Sequence, residues 1–260
     1  QMARIMKIIM MIPLLYLAVI PFLLEGFHNS TLCSRVVINI VDSSHYNFVT
    51  KSQILNLVYN DNIRILGGTI EDIPVSAIEN RINELRELKT AEVYIDFDGT
   101  LYVYADQRNP LFRIIPDEGG DFFMDEEGYI FRKRNLYTPR LHIAGGNIDI
   151  TPAMLENVSV LDTCIKKTIL KDLFHFVKYI RNDGFWSAQI DQIYIDSREE
   201  IDLFPRVGNH LIHLGPVDNF DGKLRNLQAL YEEVMPVAGW NRYSMINLEY
   251  KDQIVCRRRQ

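Results

Sequence analysis

The stretch VYIDFDGTLYVYADQRNP, Val93 to Pro110, decides how the chain is divided. Val93, Ile95 and Phe97 alternate with Tyr94 and Asp96, and Leu101, Val103 and Ala105 alternate with Tyr102 and Tyr104. A period of two gives each run one apolar face, the pattern of a half-buried strand. Asp98-Gly99 between them is a hairpin signal, because Gly accepts positive φ without a Cβ clash. The spacing therefore predicts an antiparallel pair. Gln107-Arg108-Asn109-Pro110 then ends it, since Pro110 has no N–H to give to a central ladder. This is the predicted joint between two β-rich modules. Beyond it, Asp121–Asp125 and Tyr129–Arg132 flank Glu126-Glu127-Gly128, a second predicted hairpin.

Composition bounds the function. The chain has 260 residues, 47% hydrophobic and 24% charged, enough for one or two folded domains. A net charge of −6 argues against nucleic acid, whose phosphates need clustered Lys and Arg. Arg257-Arg258-Arg259 reads as a solvated end. Cys33, Cys164 and Cys256 are widely spaced with no CxxC, so a zinc site is not expected. One disulfide in an oxidising compartment and three ordinary buried thiols both fit.

Ile8 to Leu24 is an unbroken apolar run, IIMMIPLLYLAVIPFLL. As a helix it would rise about 25 Å, slightly less than a hydrocarbon core of about 30 Å. Lys7 and Glu25 can snorkel to close the difference. Arg4 and Lys7 precede the run, so the positive-inside bias places the N-terminus in the cytoplasm and the bulk outside. Leu23–His28 offers no A-x-A-like cleavage site, which favours an uncleaved anchor over a signal peptide. Residues 1–7 are then a short cytoplasmic end and 8–24 a transmembrane helix.

Residues 34–106 read as a β-α-α-β-β module. Val36, Ile38 and Ile40 mark its first strand. Thr50-Lys51-Ser52-Gln53 is a capping box opening a helix with Ile54, Leu55 and Val58. Gly67-Gly68 breaks the chain. Pro74 suits the first turn of a second helix with the stripe Ile78, Ile82 and Leu85. The Val93 and Leu101 strands complete it.

That element order is similar to a POTRA module, and its place after an expected membrane helix resembles the FtsQ/DivIB family of bacterial cell-division proteins. The Bacteroidetes-type form is the nearer likeness. It is carried by Cys33-Ser34-Arg35-Val36-Val37-Ile38, by AEVYxxxDGxLxVxxxQRxPxxRI over Ala91 to Ile114, and by DxxG at Asp125 to Gly128. Phe185–Ile193, Pro205–Gly208, Gly239–Ser244 and Tyr250–Cys256 extend it over nearly the whole chain. The short cytoplasmic end departs from the family pattern.

Residues 107–260 are expected to form a mixed β-sheet domain with two amphipathic helices, so that the fold class is α+β. Ile165, Ile169, Leu173, Phe176, Val177 and Ile180 recur at helical spacing, ending at an Asn182-Asp183-Gly184 cap. Ile190–Ile195, Ile201–Phe204 and His210–Leu214 read as strands. A second helix runs from Phe220 to Met235, with Leu224, Leu227, Leu230 and Tyr231 on one face and Pro236 as its stop. Tyr243–Tyr250 and Gln253–Arg257 read as the last two strands, joined through Lys251-Asp252.

No catalytic set emerges, and no cofactor or metal is expected. His210 and His213 sit three apart on a strand and so point to opposite faces. No P-loop, GxGxxG or nucleophile elbow occurs. Asp96-Phe97-Asp98-Gly99-Thr100 mimics the DxDGT of haloacid-dehalogenase-type phosphatases, and Gly120-Asp121-Phe122-Phe123-Met124-Asp125 mimics its acidic partner. A βαβ crossover takes roughly 30 residues. The interval from Leu101 to Gly120 is shorter and holds a strand and a Pro turn. The hairpin reading is preferred.

The resemblance implies a scaffold whose last strands leave a sheet edge open for partners, small single-span proteins of the FtsB and FtsL kind. It places the contact on Tyr250, Ile254 and Cys256, with Met245 and Leu248 on the Tyr250 strand. It also implies other division partners for the POTRA module, a bacterial inner-membrane location with the bulk in the periplasm, a place at the septum, and control of septal peptidoglycan synthesis. A different POTRA-bearing exported assembly factor is the alternative. The phosphatase is the remote one, and a direct assay disposes of it. A generic phosphate ester with Mg²⁺ is expected to show no turnover that Asp96→Asn abolishes; Asp96-dependent hydrolysis would establish an enzyme.

Overall fold

The structure, a computed structural model, describes Ile20 and residues 31–41, 46–59, 64–134, 136–166, 168–251 and 253–259. The expected anchor, apart from Ile20, lies outside the described residues, as does the expected cytoplasmic end. Among the described residues no helix is long and apolar enough to cross a membrane. The chain divides after Gln107 into two compact units.

In the first unit β1 (Arg35–Val41), α1 (Lys51–Val58), α2 (Val75–Asn83), β2 (Leu88–Ile95) and β3 (Thr100–Gln107) follow in the expected order. The sheet order is β1-β3-β2, with β3 parallel to β1 and antiparallel to β2. Gly99 turns the hairpin at φ 78°, and a Cβ there would lie 2.3 Å from the Leu32 carbonyl oxygen. Asp98 braces the turn by accepting from the Thr100 N–H at 2.8 Å and hydroxyl at 3.0 Å. Val93, Leu101, Val103 and Ala105 are buried on the helix side with Ile54, Val58, Ile78 and Ile82. Phe97, expected on that face, is 82% exposed. Strand β2 ends at Ile95, so the alternation does not reach it. The capping box forms: Thr50 Oγ1 accepts from the Gln53 N–H, and Gln53 Oε1 accepts from the Thr50 N–H at 2.8 Å.

Gln107 closes the first unit. Its Oε1 accepts from the Phe48 and Val49 N–H groups at 2.9 and 3.0 Å, and its Nε2 donates to the Tyr46 carbonyl at 3.0 Å. This use of the side chain puts Gln107 with the first unit. Arg108, the next residue, works in the second. It donates to Asp125 Oδ2 at 2.7 Å and to Asn157 Oδ1 at 2.6 Å, and it lies 4.3 Å from the Tyr129 ring centroid. Asp125 Oδ1 accepts from the Glu127 and Tyr129 N–H groups at 2.9 and 2.8 Å. The DxxG turn is thus a buried carboxylate holding its own backbone, balanced by a buried guanidinium.

The second unit is a nine-stranded sheet. Its strands are β4 (Pro110–Pro116), β5 (Phe122–Asp125), β6 (Ile130–Arg132), β7 (Ile143–Gly146), β8 (Ile190–Ile195), β9 (Ile201–Pro205), β10 (Leu211–Gly215), β11 (Tyr243–Asn247) and β12 (Val255–Arg258). They are ordered β12-β11-β10-β9-β8-β7-β4-β5-β6, mixed in sense. Helix α3 (Ile169–Asn182) and helix α5 (Phe220–Ala229) contribute to the same apolar core as the sheet, and α4 (Trp186–Gln189) joins α3 to β8. The hydrophobic pattern therefore gives the expected mixed sheet with two amphipathic helices.

Three expected ends differ, each for a local reason. Helix α3 starts at Ile169, capped by Thr168, so Ile165 precedes it. At its other end Gly184 is not a left-handed cap. Asp183 is extended, and its side chain accepts from the Phe185 and Trp186 N–H groups at 2.8 and 2.9 Å, which opens α4. Pro236 does not stop the second helix. A π-helical turn over Leu230–Val234 re-spaces the backbone bonds ahead of it, and α6 (Met235–Ala238) carries on.

Asp125→Ala would remove the buried carboxylate that faces Arg108 and holds the turn backbone. It is expected to cost about 3–5 kcal/mol in chemical denaturation. A loss below about 1 kcal/mol would show that the pair does not hold the turn.

Candidate partner-binding edge

Strand β12 pairs with β11 and lies at the end of the sheet order. Its register is Asn247↔Val255, Ile246↔Cys256 and Met245↔Arg257, with an irregularity before Tyr243↔Arg258. Directly paired residues share a face. Cys256 therefore lies on the core side with Ile246, whereas Met245 and Arg257 lie on the opposite side. Cys256 and Ile254 are half-buried and pack against the core. Burial pushes the Cys256 thiol pKa up.

The five sequence-selected residues are close in the chain but not equivalent. Strand β11 ends at Asn247, so Leu248 and Tyr250 fall beyond it rather than on it. Asn247 Oδ1 accepts from the Glu249 N–H at 2.8 Å, a local turn that takes the chain off the ladder. Leu248 is 3% exposed and belongs to the core, whereas Tyr250 is 49% exposed. The Leu248 N–H donates to the His213 carbonyl at 2.8 Å, which fixes where the turn begins. Tyr250 borders a groove of about 470 Å³ shared with Asn219, Gly222, Lys223, Asn226 and Leu248.

The margins of the two sheets are treated differently. On the outer side of β2, Asn83 Oδ1 accepts from the Ala91 N–H at 2.8 Å and Asn83 Nδ2 donates to the Ala91 carbonyl at 3.0 Å. Glu79 Oε2 accepts from the Val93 N–H at 2.9 Å. Helix α2 thereby closes that margin. At the near end of β6, Tyr129 bridges Ser159, and the Val160 N–H donates to the Gly128 carbonyl at 2.9 Å. Among the described residues no strand pairs with the outer side of β12. Its end is held on the inner side, where the Arg259 N–H donates to the Arg242 carbonyl at 2.9 Å and its guanidinium to the Asn209 carbonyl.

The two histidines occupy different environments. His213 Nδ1 lies 2.7 Å from Asp202 Oδ1, and its Nε2 lies 3.9 Å from both Glu200 and Glu249. His210 is buried, with Nε2 2.7 Å from the Tyr231 hydroxyl. Burial lowers the His210 pKa and, by the same cause, that of His142. Three of the motif carboxylates hold local structure. Asp98 braces its turn, with a pKa lowered by the Thr100 bonds, Asp121 takes Arg113 in two bonds of 2.7 and 2.6 Å, and Asp125 holds Arg108. Asp96 follows β2, an antiparallel hairpin strand, and not a parallel strand with a crossover.

Sequence reasoning missed Gln107, Arg108, Asn83 and Glu79 as organising residues. The first two stood inside a quoted motif, and their chemistry (a side-chain amide and a guanidinium beside Pro110) was the available signal. Nothing local marks Asn83 or Glu79.

The described chain is a helix-backed three-stranded module followed by a mixed nine-stranded sheet that has β12 at one end. Residues 31–105 match the POTRA-like domain, and residues 109–257 match the family model described as FtsQ/DivIB, C-terminal related. No curated protein matches the chain. The chain belongs to the FtsQ/DivIB family, and its domains are those of a cell-division scaffold that works with other division proteins.

Two outcomes are expected here. Leu248→Ala should cost about 2–5 kcal/mol by denaturation, and Tyr250→Ala less than about 0.5 kcal/mol; equal costs would contradict their different burial. A folded-state His pKa below the unfolded value makes the unfolded chain the better proton binder. Stability is then full above about pH 6.5 and falls as pH drops through the folded values. The fall in Tm below pH 6.5 should shrink in His210→Gln; an unchanged fall would remove His210 as its cause.

Proposed function

We propose that this chain is a membrane-anchored divisome scaffold that captures FtsB- and FtsL-like single-span proteins by strand addition at β12. Through them it helps control septal peptidoglycan synthesis, without catalysing a reaction itself. Its place is the inner membrane, crossed once, with the N-terminus in the cytoplasm and the bulk in the periplasm at the division septum. The observation that carries this reading is the unpaired outer side of β12 in a chain of this family.

An added strand gains main-chain hydrogen bonds from the β12 margin, each worth about 0.5–1.5 kcal/mol net. Its alternate side chains meet two surfaces. One set continues the core side beside Ile254 and Cys256; the other lies beside Val255 and Arg257, with Met245 one strand further in. Leu248 serves this contact from within the core, by fixing the turn that carries Tyr250.

The test is co-purification of partners with the anchored chain from dividing cells. Ile254→Pro places a residue without an N–H next to the edge strand, and Tyr250→Ala removes an exposed aromatic anchor. Each is expected to weaken capture about tenfold or more while the fold is kept. Unchanged capture by both variants would move the contact away from β12.

A further inference from the structure

The face of the first unit's sheet that points away from α1 and α2 carries chemistry that strand addition does not use. Tyr94, Tyr102 and Tyr104 stand on it together. Their ring centroids are 5.3 Å apart for Tyr94–Tyr102, 5.9 Å for Tyr94–Tyr104 and 6.3 Å for Tyr102–Tyr104, with interplanar angles of 23°, 7° and 20°. Tyr94 and Tyr104 are 45% and 37% exposed. The core of this unit is filled by residues of the opposite parity, so packing does not explain three tyrosines here. Large aromatic rings grouped on a surface are the composition of an interface.

The same parity surrounds the rings with carboxylates. Glu92 precedes Tyr94 along β2, Asp96 lies just past the end of that strand, Asp106 follows Tyr104 along β3, and Glu92 is the direct cross-strand partner of Tyr104. Arg35, at one corner, lies 3.9 Å from Asp98. An acidic rim repels nucleic acid and anionic headgroups and leaves a neutral glycan without a charged counterpart. It favours a cation that can lie on a ring and reach a carboxylate together. Guanidinium does both, being planar, weakly hydrated and a multiple donor. Because Asn83 and Glu79 close the β2 margin, such a partner meets this face and not the β2 edge beside the rings.

We propose that the Tyr94–Tyr102–Tyr104 face is a docking surface for an arginine-bearing segment of a protein partner. It shares no residue with β12, so it stands or falls apart from strand addition.

The experiment uses the full chain and a labelled Arg-Ala repeat peptide, followed by anisotropy, with Lys-Ala and Glu-Ala repeats and a neutral chitin-type oligosaccharide for comparison. The Arg-Ala peptide is expected to bind more tightly than Lys-Ala, and Glu-Ala not at all. Tyr94→Ala with Tyr104→Ala should weaken it about tenfold, and the corresponding Phe pair should retain it. Glu92→Gln with Asp96→Asn changes only exposed side chains and is expected to weaken binding and flatten its salt dependence. Binding that ignores the tyrosines and treats Arg and Lys alike would overturn the proposal as diffuse charge. Absence of peptide binding, or oligosaccharide binding lost with the tyrosines, would overturn it as well.

Discussion

One row of directly paired side chains sets the second unit. It runs Phe122, Ile114, Ala144, Ile193, Leu203, Ile212, Ile246 and Cys256, crossing eight strands. Seven of the eight are buried in the core, and Cys256 is the half-buried last member. A slip of one residue in any strand would turn its core set to solvent. The row places β12 in register through Cys256, its one half-buried member on that strand. It also ends there, which leaves a well-placed backbone margin with nothing from the described chain beyond it.

Water is a poor substitute for a ladder, and folded proteins usually blunt such margins. This chain does so at β2, where Asn83 and Glu79 take the outward N–H groups of Ala91 and Val93. The contrast with β12 gives the family assignment a physical content. Fold alone does not give function. The β2 margin is covered by side chains of α2, whereas among the described residues no strand pairs with the outer side of β12. Arg257 and Arg258 on β12 are exposed, and their like charges oppose pairing between two copies.

Much of this was readable from the residues. The alternation around Asp98-Gly99 placed the first hairpin, and Thr50–Gln53 placed the first helix start. The expected joint spans Gln107–Pro110, and the chain divides into two compact units after Gln107. Helical spacing found α3 and α5. What the sequence did not show depended on distant partners. Leu248 and Tyr250 look alike as members of an apolar-rich ending, yet the turn at Asn247 buries one and exposes the other. Nor does local pattern show that Pro236 is tolerated, because the π turn before it is a tertiary accommodation. The edge itself was reached through resemblance. Strand order is a non-local property that no window of residues contains.

The most direct measurement is amide hydrogen exchange across residues 253–259, read in the free chain and with a captured partner. The account predicts that the outward-facing N–H groups of β12 exchange fast when free, while those paired with β11 are protected. Capture should slow the outward set by orders of magnitude. Full protection of β12 in the free chain, or tight capture that leaves its outward amides fast, would contradict the account.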